Sequence, residues 1–519
     1  MTLVCSSLYL SPSAFSSNGT FITKWGGQYG GEDGEMRSPA GIALDSSSGN
    51  VYVADTGNNR IQVFSSNGIL IREWGGQYGG RDGEMRSPAG IALDQEDNVY
   101  VADTGNDLIS AWTFPSHISN VAFSSEDGEI YGNNTRIKIE PIYDGLTLPT
   151  AIAFLGSNDM LVLSGDEKYH ENSLEKNNKV MRIVNGQMLE EPVLDLENTV
   201  RNLTCMCDIA ILQNDNGTSY AFLYIYHAEV PESNDGITKL VDRLYRYDIT
   251  NGKFANPKLF FEIPSSPKAD HDGGKLMIGP DKNVYVTIGD IDGRKTKAQN
   301  IKNGSLPDGS SGILRFTQDG KPVDGGLLGD SSPLDKYYAY GIRNSFGIDY
   351  DPLTDNIWIT DNGPGCCDEL NLVRPGFNGG WNKNMGLSSF DKAFNLTNLE
   401  FLNGTGQYYD PIFEWFDSIG VTDLVFVTSD KLGEEYEGNL FVADYNSGYL
   451  YRFILNQTRT GLLLNGSLSD GAANNNLEGL EAVFAKIEGG ITDLDIGPDG
   501  LVYIVSHNGK ILRLEPMPS

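Results

Sequence analysis

Long apolar runs and basic residues are both scarce in this sequence. No stretch of about 18 apolar residues occurs, the shortest length that indicates a membrane-spanning helix. Lys and Arg number 38 against 70 Asp and Glu, which gives a formal net charge of −32. Such a surface repels phosphate backbones and anionic lipid headgroups. These two absences argue against a membrane span, and against nucleic acid or a membrane surface as a partner.

A recognisable signal peptide is also missing. The first residues, MTLVCSSLYLSPSAF, carry no basic n-region, and serines interrupt their apolar stretch. Asn-x-Ser/Thr sequons are nevertheless frequent, as is typical of an exported glycoprotein. They lie at Asn18, Asn133, Asn202, Asn216, Asn303, Asn395, Asn403, Asn456 and Asn465. We therefore expect an extracytoplasmic or secreted protein whose true N-terminus is truncated in this sequence.

Glycine and aromatic residues are abundant, with 61 Gly, 25 Tyr and 22 Phe. Because only 21% of the residues are charged, this composition indicates a turn-rich, strand-rich globular protein rather than a disordered one. The 519 residues suffice for one large all-β domain and a smaller one.

Two nearly identical segments begin at Trp25 and Trp74 with WGGQYGGEDGEMRSPAGIALD and WGGQYGGRDGEMRSPAGIALD. Each resembles an NHL repeat, which supplies one four-stranded blade of a β-propeller. Two blades cannot close a ring, because their outer apolar faces stay uncovered. We expect residues 1–120 to form two extra blades that pack on a larger propeller, bind a protein partner, or are a remnant.

A unit of strand, Asp-centred turn and strand recurs six times downstream, at intervals of roughly 60 to 80 residues. The units begin at Ile152, Ile209, Met277, Phe346, Leu424 and Leu494. We therefore predict an all-β fold, in which residues 136–516 form a six-bladed β-propeller after a linker at 121–135. The alternative is a β-sandwich with coincidental turns.

The loops of a propeller converge on one end of its channel, so a functional site should draw on several blades. In the loop at 270–274, His271 lies between two aspartates and is a candidate general base. Its alternative role is a hydrogen bond within a turn. The pair Arg343 and Asn344 suits an oxyanion or carboxylate, or a structural contact. The loop 361–369 suits calcium, or is a tight turn capped by acids.

Four motifs follow one another in order: DHDGGKLMIGPDKNVYVTIGD, GIRN, NGPGCCDELN and GFNGGWN. They resemble the consecutive motifs of the glucose/sorbosone dehydrogenase family, soluble sugar dehydrogenases that use pyrroloquinoline quinone (PQQ), over about 380 residues. The resemblance implies a PQQ- and calcium-dependent oxidoreductase that converts aldose sugars to lactones and passes electrons to an external acceptor.

The resemblance also implies a role for each matching residue. The implied catalytic residues are the base His271, the carboxylate Asp290 that orients it, and Arg343 beside the quinone oxygens. Further cofactor contacts are implied for Asn344, Gln299 and Asn362. The implied calcium ligands and nearby acids are Gly363, Pro364, Asp368 and Glu369.

Two segments depart from the family pattern. Residues 203–208 (LTCMCD) replace a Gln/Glu-Gly-Leu-Leu-Gly motif, and residues 490–493 (GITD) replace the arginines that hold the PQQ carboxylates. Each lost charge-assisted hydrogen bond is worth roughly 1.5 to 3 kcal/mol, so PQQ affinity should be low. The departures leave two alternatives: a non-catalytic propeller that binds a glycan or protein, and a calcium-dependent lactonase-like hydrolase.

The cysteines also stand out. In the family, the loops that hold Cys205 and Cys207, and Cys366 and Cys367, both border the site. The resemblance therefore implies a disulfide between the two loops in an oxidising compartment. The alternatives are a vicinal bridge between Cys366 and Cys367, free thiols, or a soft-metal site.

Overall fold

The computed structural model describes residues 2–4, 13–15, 21–24, 29–31, 34–45, 50–64, 68, 70–76, 78–80, 84–94, 98–112, 121–132, 136–164, 179–196, 203–229, 239–265, 271–291 and 294–517. The chain divides into two units: residues 1–119 with 475–481, and residues 120–474 with 482–519. No helix among the described residues has the length and apolar character needed to cross a membrane.

The first unit contains three antiparallel sheets. Their strands are β1–β3 (Thr2–Val4, Ser13–Phe15, Phe21–Lys24), β4–β7 (Gly41–Leu44, Val51–Asp55, Arg60–Phe64, Leu70–Gly75) and β8–β10 (Pro88–Leu93, Val99–Asp103, Leu108–Trp112). Strands β5 and β9 both read VYVAD, and their β-branched residues suit a packed sheet. The core between the second and third sheets includes Val63, Trp74, Met85 and Val101, and the partly buried Leu477 packs against it.

The second unit begins with β11–β13 (Val121–Ser125, Gly128–Tyr131, Ile137–Tyr143). Blades one to three follow as β14–β18 (Ala151–Gly156, Asp159–Ser164, Lys179–Val184, Gln187–Met188, Leu194–Asp195), β19–β22 (Leu203–Gln213, Ser219–Glu229, Lys239–Thr250, Lys253–Pro264) and β23–β26 (Gly273–Ile278, Val284–Ile288, Gly312–Phe316, Tyr337–Tyr340).

The chain continues through β27–β32 (Gly347–Tyr350, Ile357–Asp361, Cys366–Val373, Phe377–Asn378, Gln407–Tyr408, Phe413–Asp417) and β33–β37 (Val421–Phe426, Leu440–Asp444, Tyr449–Phe453, Ala472–Ala473, Val483–Ile487). Blade four is β27, β28, β29 and β32, and blade five is β33, β34, β35 and β37. The short β30 and β31 extend blade three, and β36 extends blade four.

Blade six joins the two ends of this unit. It combines β38–β40 (Ile491–Ile496, Val502–Ser506, Lys510–Pro516) with β13, which pairs antiparallel with β40. The first strands of the six blades pack on one another in order, and β38 packs on β14. The ring is therefore closed, and the predicted all-β, six-bladed propeller is confirmed. Residues 121–131, which we assigned to a linker, form the hairpin β11–β12 on the outer edge of blade five.

Helices are short. The described residues contain one α-helix, α1 (Asn476–Gly479), and 3-10 turns at Thr56–Asn58, Thr104–Asn106, Lys297–Gln299, Leu334–Lys336, Leu396–Asn398, Leu402–Gly404, Asp430–Leu432, Gly466–Asp470 and Leu480–Ala482. The second strands of blades three to six read VYVTI, IWITD, LFVAD and VYIVS, and every residue in them is buried. Such mostly apolar, fully buried strands occur where both faces of a sheet are covered, here by the neighbouring blades.

A charged cluster lies inside the ring. Nζ of Lys275 contacts Asp493, and it is 2.7 Å from Oδ2 of Asp423 and 3.8 Å from Oδ1 of Asp208. Each of these aspartates also accepts a backbone N–H from the first strand of the following blade, at 2.8, 3.0 and 2.6 Å respectively. The acids therefore connect adjacent blades, and one lysine charge offsets part of their negative charge.

The predicted disulfide between the two cysteine pairs is wrong in this structure, because Cys366 and Cys367 both carry free thiols. A hydrogen bond from the Cys367 thiol lowers the pKa of Cys366 to about 7. The reason is the order of the blades. Cys207 lies on β19 of blade two and the thiol pair on β29 of blade four, and blade three lies between them. The side chain of Cys205 is outside the described part of the chain.

Candidate functional site

The start of blade three brings a histidine and a carboxylate together. His271 precedes β23 and Asp290 follows β24, so the pairing of these two strands places them side by side. Nδ1 of the imidazole lies 2.8 Å from Oδ1 of Asp290. The side chain of His271 is 24% exposed and that of Asp290 is 13% exposed. A carboxylate at Nδ1 fixes the proton there and leaves Nε2 as the acceptor. Asp270 lies outside the described residues.

Asp290 is itself held by an aromatic residue. Nε1 of Trp381 donates to Oδ2 of Asp290 at 2.8 Å. The same indole lies under Arg343, whose Cζ is 5.5 Å from the ring centroid, a cation–π distance. Sequence reasoning gave Trp381 no role, although it lies in the GFNGGWN motif. The structure makes it the residue that connects the carboxylate to the arginine.

Arg343 bridges blades three and four. Its Nη2 lies 2.8 Å from Nε2 of His271, and its Nη1 donates to the carbonyl oxygens of Asn362 at 2.7 Å and Gly363 at 2.9 Å. The arginine therefore donates to the free imidazole nitrogen of the histidine. The predicted catalytic residues, with the carbonyls of the predicted calcium loop, form one connected group.

A buried carboxylate, that of Asp361, holds the backbone of Arg343 and Asn344 in place. Asp361 ends β28 and accepts the backbone N–H of Arg343 at 2.9 Å and that of Asn344 at 2.6 Å. Burial raises the pKa of Asp361 to about 7, although these N–H donors oppose the rise. The loop 341–344 is therefore fixed by the neighbouring strand, and the Arg343 guanidinium extends from a rigid base.

Two polar atoms of this group are buried and have no hydrogen-bond partner. They are Oδ1 of Asn344 and Nε of Arg343. Asn344 is only 8% exposed. A buried polar atom without a partner costs about 1 to 3 kcal/mol. One acceptor and one donor are thus available to a bound molecule.

Gln299 has a structural role in the loop that carries Asp290. Its Nε2 donates to the carbonyl oxygen of Asp290 at 2.8 Å, and its Oε1 accepts the backbone N–H of Thr296 at 3.3 Å. It is 2% exposed. Both ends of this amide are occupied by backbone, so Gln299 supports the loop that carries Asp290.

The predicted calcium residues separate into two groups. The carbonyl oxygens of Asn362 and Gly363 converge on Arg343, and Pro364 is exposed next to them. Asp368 is instead fully buried: its oxygens accept four backbone N–H groups, those of Gly363 at 2.9 Å and of residues 419–421 at 2.9, 2.8 and 3.2 Å. Its carboxylate therefore anchors the loop.

Glu369 also faces away from those carbonyls. It accepts a hydrogen bond from Asn371 at 2.9 Å and another from the backbone of Gly386 at 2.5 Å. Burial and the nearby carboxylate of Asp361 raise the pKa of Glu369 well above its usual range. In the described part of the chain, no three His, Cys, Asp or Glu side chains are grouped closely enough to hold a metal ion.

Behind His271 lies a pair of carboxyl groups that sequence reasoning missed. Asp242 on β21 is fully buried and faces Asp272, which is 7% exposed. Burial and the charge of Asp272 raise the pKa of Asp242 well above its usual range, opposed by the charge of Arg294. Ser265 donates to Asp272 at 2.7 Å. Two adjacent buried carboxyls repel each other when both are ionised, so this arrangement favours the neutral form of Asp242.

The segments that depart from the family pattern have a structural use. Residues 203–208 and 490–493 each end in an aspartate of the lysine cluster, Asp208 and Asp493. Thr492 donates its hydroxyl to the carbonyl oxygens of residues 149 and 505 at 3.1 and 3.2 Å. The two segments therefore contribute the negative charges of Asp208 and Asp493 and the neutral hydroxyl of Thr492 to the ring.

Comparison with known families identifies the chain. Residues 146–513 match the family described as Glucose / Sorbosone dehydrogenase. The chain belongs to the glucose/sorbosone dehydrogenase family. This match confirms the resemblance seen in the motifs, and residues 36–64 and 85–111 match the NHL repeat, as predicted. Family membership assigns this glucose/sorbosone dehydrogenase homologue to a group of sugar-dehydrogenase-like oxidoreductases.

Individual relatives agree with this assignment. The chain is 24% identical over 393 residues to an aldose sugar dehydrogenase of Escherichia coli strain K12, covering 73% of this chain and 93% of the relative. The crystal structure of the soluble aldose sugar dehydrogenase from E. coli in the apo-form has a TM-score of 0.53 at 20% identity, covering 73% of this chain and 99% of that one. The PQQ-bound aldose sugar dehydrogenase of Streptomyces coelicolor has a TM-score of 0.50 at 21% identity, covering 73% and 98%.

Proposed function

We propose that this protein oxidises aldose sugars to lactones with PQQ and calcium, and passes the electrons to an external acceptor. The observation that carries the proposal is the connected group His271, Asp290 and Arg343, where blades three and four meet. It contains an oriented base and a neighbouring cation, which are the two parts that removal of a hydroxyl proton beside a quinone requires. The family to which the chain belongs supports this reading.

The residues present fit one edge of PQQ. The unpartnered Oδ1 of Asn344 and Nε of Arg343 offer an acceptor and a donor beside the guanidinium. At the positions of the family's carboxylate-binding arginines, Thr492 and Asp493 supply no positive charge. We therefore expect PQQ to be held at its quinone edge and to bind weakly.

The carbonyl oxygens of Asn362 and Gly363 would hold the calcium ion, because two backbone oxygens that already converge on a guanidinium suit a hard cation. Pro364 follows them in the same turn. Asp368 and Glu369 hold the turn in place through its backbone, by the contacts described above. Calcium and the guanidinium compete for the same two oxygens, so we expect the Arg343 side chain to turn toward the cofactor when calcium binds.

The chemistry that PQQ supplies when bound is acceptance of a hydride from the anomeric carbon of the sugar. Nε2 of His271 accepts the proton of the anomeric hydroxyl, and the resulting imidazolium is stabilised by Asp290 at Nδ1. Trp381 keeps Asp290 in this orientation. For the proton to reach Nε2, Arg343 must first release that atom, which agrees with its movement toward the cofactor.

The test is reconstitution of the full chain with PQQ and calcium, followed by dye reduction with a panel of aldoses. We expect aldose-dependent reduction that requires both additions. PQQ binding without turnover would contradict the proposed oxidation. In the absence of PQQ binding, calcium-dependent hydrolysis of a lactone would favour a lactonase-like hydrolase, and lack of any turnover would favour a propeller that binds a glycan or protein. An exported, glycosylated protein remains our proposal for its location, tested by glycosidase treatment of the native material.

A further inference from the structure

In the first NHL repeat, the space next to one buried carboxylate is filled by two side chains of the same repeat. Asp55 ends β5 and is fully buried. Its Oδ2 accepts from Nε of Arg60 at 3.0 Å and from Nε2 of Gln62 at 3.1 Å. The same two side chains donate to the carbonyl oxygen of Glu35, at 2.9 and 2.7 Å. One guanidinium and one carboxamide thus satisfy two acceptors.

The second repeat keeps the acid and lacks both donors. Asp103 ends β9 at the position of Asp55 and is 1% exposed. Leu108 and Ser110 stand where the first repeat has arginine and glutamine. The equivalence is supported by strand register, since the acid faces the first residue of the next strand in both sheets, Arg60 in one and Leu108 in the other.

The remaining contacts of the acid are the same in both repeats. Asp103 accepts the backbone N–H of Arg86 at 2.7 Å and Nδ2 of Asn106 at 2.7 Å. Asp55 accepts the corresponding groups at 2.6 and 2.7 Å. These two loop contacts are therefore the same in both repeats, and the contacts of the acid differ in the two side chains that the strand supplies in the first repeat.

A cleft of about 450 Å³ lies where these side chains are lost. Asp103 and Glu84 supply its negative charge, and Leu108, Ile109 and Trp112 supply an apolar wall. Ile109 is 73% exposed and Leu108 is 45% exposed. Strand β10 is the last strand of its sheet within the described residues, whereas the first repeat adds a fourth strand.

We propose that this cleft binds the arginine side chain of a partner polypeptide. Guanidinium is the group that occupies the equivalent space in the first repeat, and its planar fork suits a carboxylate together with a backbone carbonyl. An extended segment is the carrier we expect, because β10 is an edge strand among the described residues and the exposed Leu108 and Ile109 offer apolar contacts beside it. The net charge of −32 favours a basic partner.

The experiment is calorimetric titration of the full chain with the peptide acetyl-Val-Arg-Val-amide. The matched control peptide has citrulline in place of arginine, which keeps shape and removes charge. We expect the citrulline peptide to bind about 10-fold more weakly or worse, the loss expected for one charge-assisted hydrogen bond. Equal binding of the two peptides, or no binding of either, would overturn the proposal.

Two variants locate the site. The double variant Leu108→Arg, Ser110→Gln rebuilds the cluster of the first repeat, so we expect a higher melting temperature and loss of peptide binding. Asp103→Asn removes the charge and keeps one oxygen, which can accept the backbone N–H of Arg86 while the bond from Asn106 is lost. We expect at least 10-fold weaker peptide binding by this variant, and its melting curve checks that it is folded. Undiminished binding by either variant would show that the arginine does not enter this cleft.

Discussion

Removal of the lysine inside the ring should destabilise the protein in a way that depends on pH. In Lys275→Met, the carboxylates of Asp208, Asp423 and Asp493 keep their backbone donors and lose their shared cation. Breaking a buried ion pair from one side costs about 3 to 5 kcal/mol. We expect the greatest loss of stability at pH 8, where holding a proton on one of the buried carboxyls in place of the lost cation costs the most free energy.

At lower pH a proton can replace the lost charge. Burial already raises the pKa of Asp208 to about 6, although the charge of Lys275 lowers it, so the variant's pKa should be higher still. A carboxyl whose pKa is raised on folding binds more protons in the native state, and its contribution to stability is lost as pH rises. One extra proton changes the free energy of unfolding by about 1.4 kcal/mol per pH unit, so about 2.7 kcal/mol should be recovered between pH 8 and pH 6.

The assay is urea unfolding followed by tryptophan fluorescence at pH 6, 7 and 8. Lys282→Met is the matched control, because Lys282 makes one ion pair with Asp215 at 2.9 Å and the two side chains are 50% and 95% exposed. Pairs of that kind contribute about 0 to 1 kcal/mol, and we expect no trend between pH 6 and 8. A loss of stability in Lys275→Met that is the same at pH 6 and pH 8 would refute the reasoning.

Four further outcomes are expected. His271→Gln should lower aldose turnover by about 100- to 10,000-fold while PQQ titration, read from its absorbance, is unchanged, since only the base is lost. The melting temperature of Asp242→Asn should rise relative to that of the parent as pH increases, because a pKa raised on folding means that the parent loses the contribution of this carboxyl to stability as pH rises. Calcium chelation should lower the melting temperature if calcium is bound only by the folded state, and an identical curve would exclude the site. A chain that begins at residue 120 should fold and keep its ligand binding, because β13 and β40 close the ring within that unit; insolubility would contradict this.

The fold was predictable because its signals are local and repeated. Each blade contains a strand, an Asp-centred turn and a strand, and counting these units gives the ring without knowledge of any contact. The pairing of His271 with Asp290 was likewise predictable, since two paired strands carry both residues to one end of a blade. The roles of these two residues were inferred from the resemblance to the family.

Other parts of the site depend on contacts between residues that are distant in the sequence, and no local sequence pattern indicates such contacts. Asp242 and Asp272 lie on different blades, and the lysine cluster joins residues from four first strands. The spacing of Gln299 matched that of a cofactor contact in the family. In the structure both ends of its amide form hydrogen bonds with backbone groups, because the direction of this side chain depends on the hydrogen bonds of the loop itself. The prediction of a disulfide was wrong for a related reason, because loops that border one site can belong to blades that are not adjacent.

The closure of blade six has a consequence for how the protein is synthesised. Ile137 pairs with Pro516, so the outer strand of the last blade is made early and its partner is made at the end of the chain. At about 5 to 20 residues per second, β13 waits roughly 20 seconds to more than a minute for β40. During that time it is an open edge that could pair with another nascent chain. Its sequence, IKIEPIY, carries Lys138, Glu140 and Pro141, residues that natural edge strands use to discourage such pairing. The strand is therefore suited both to its final place in the ring and to the interval before the ring exists.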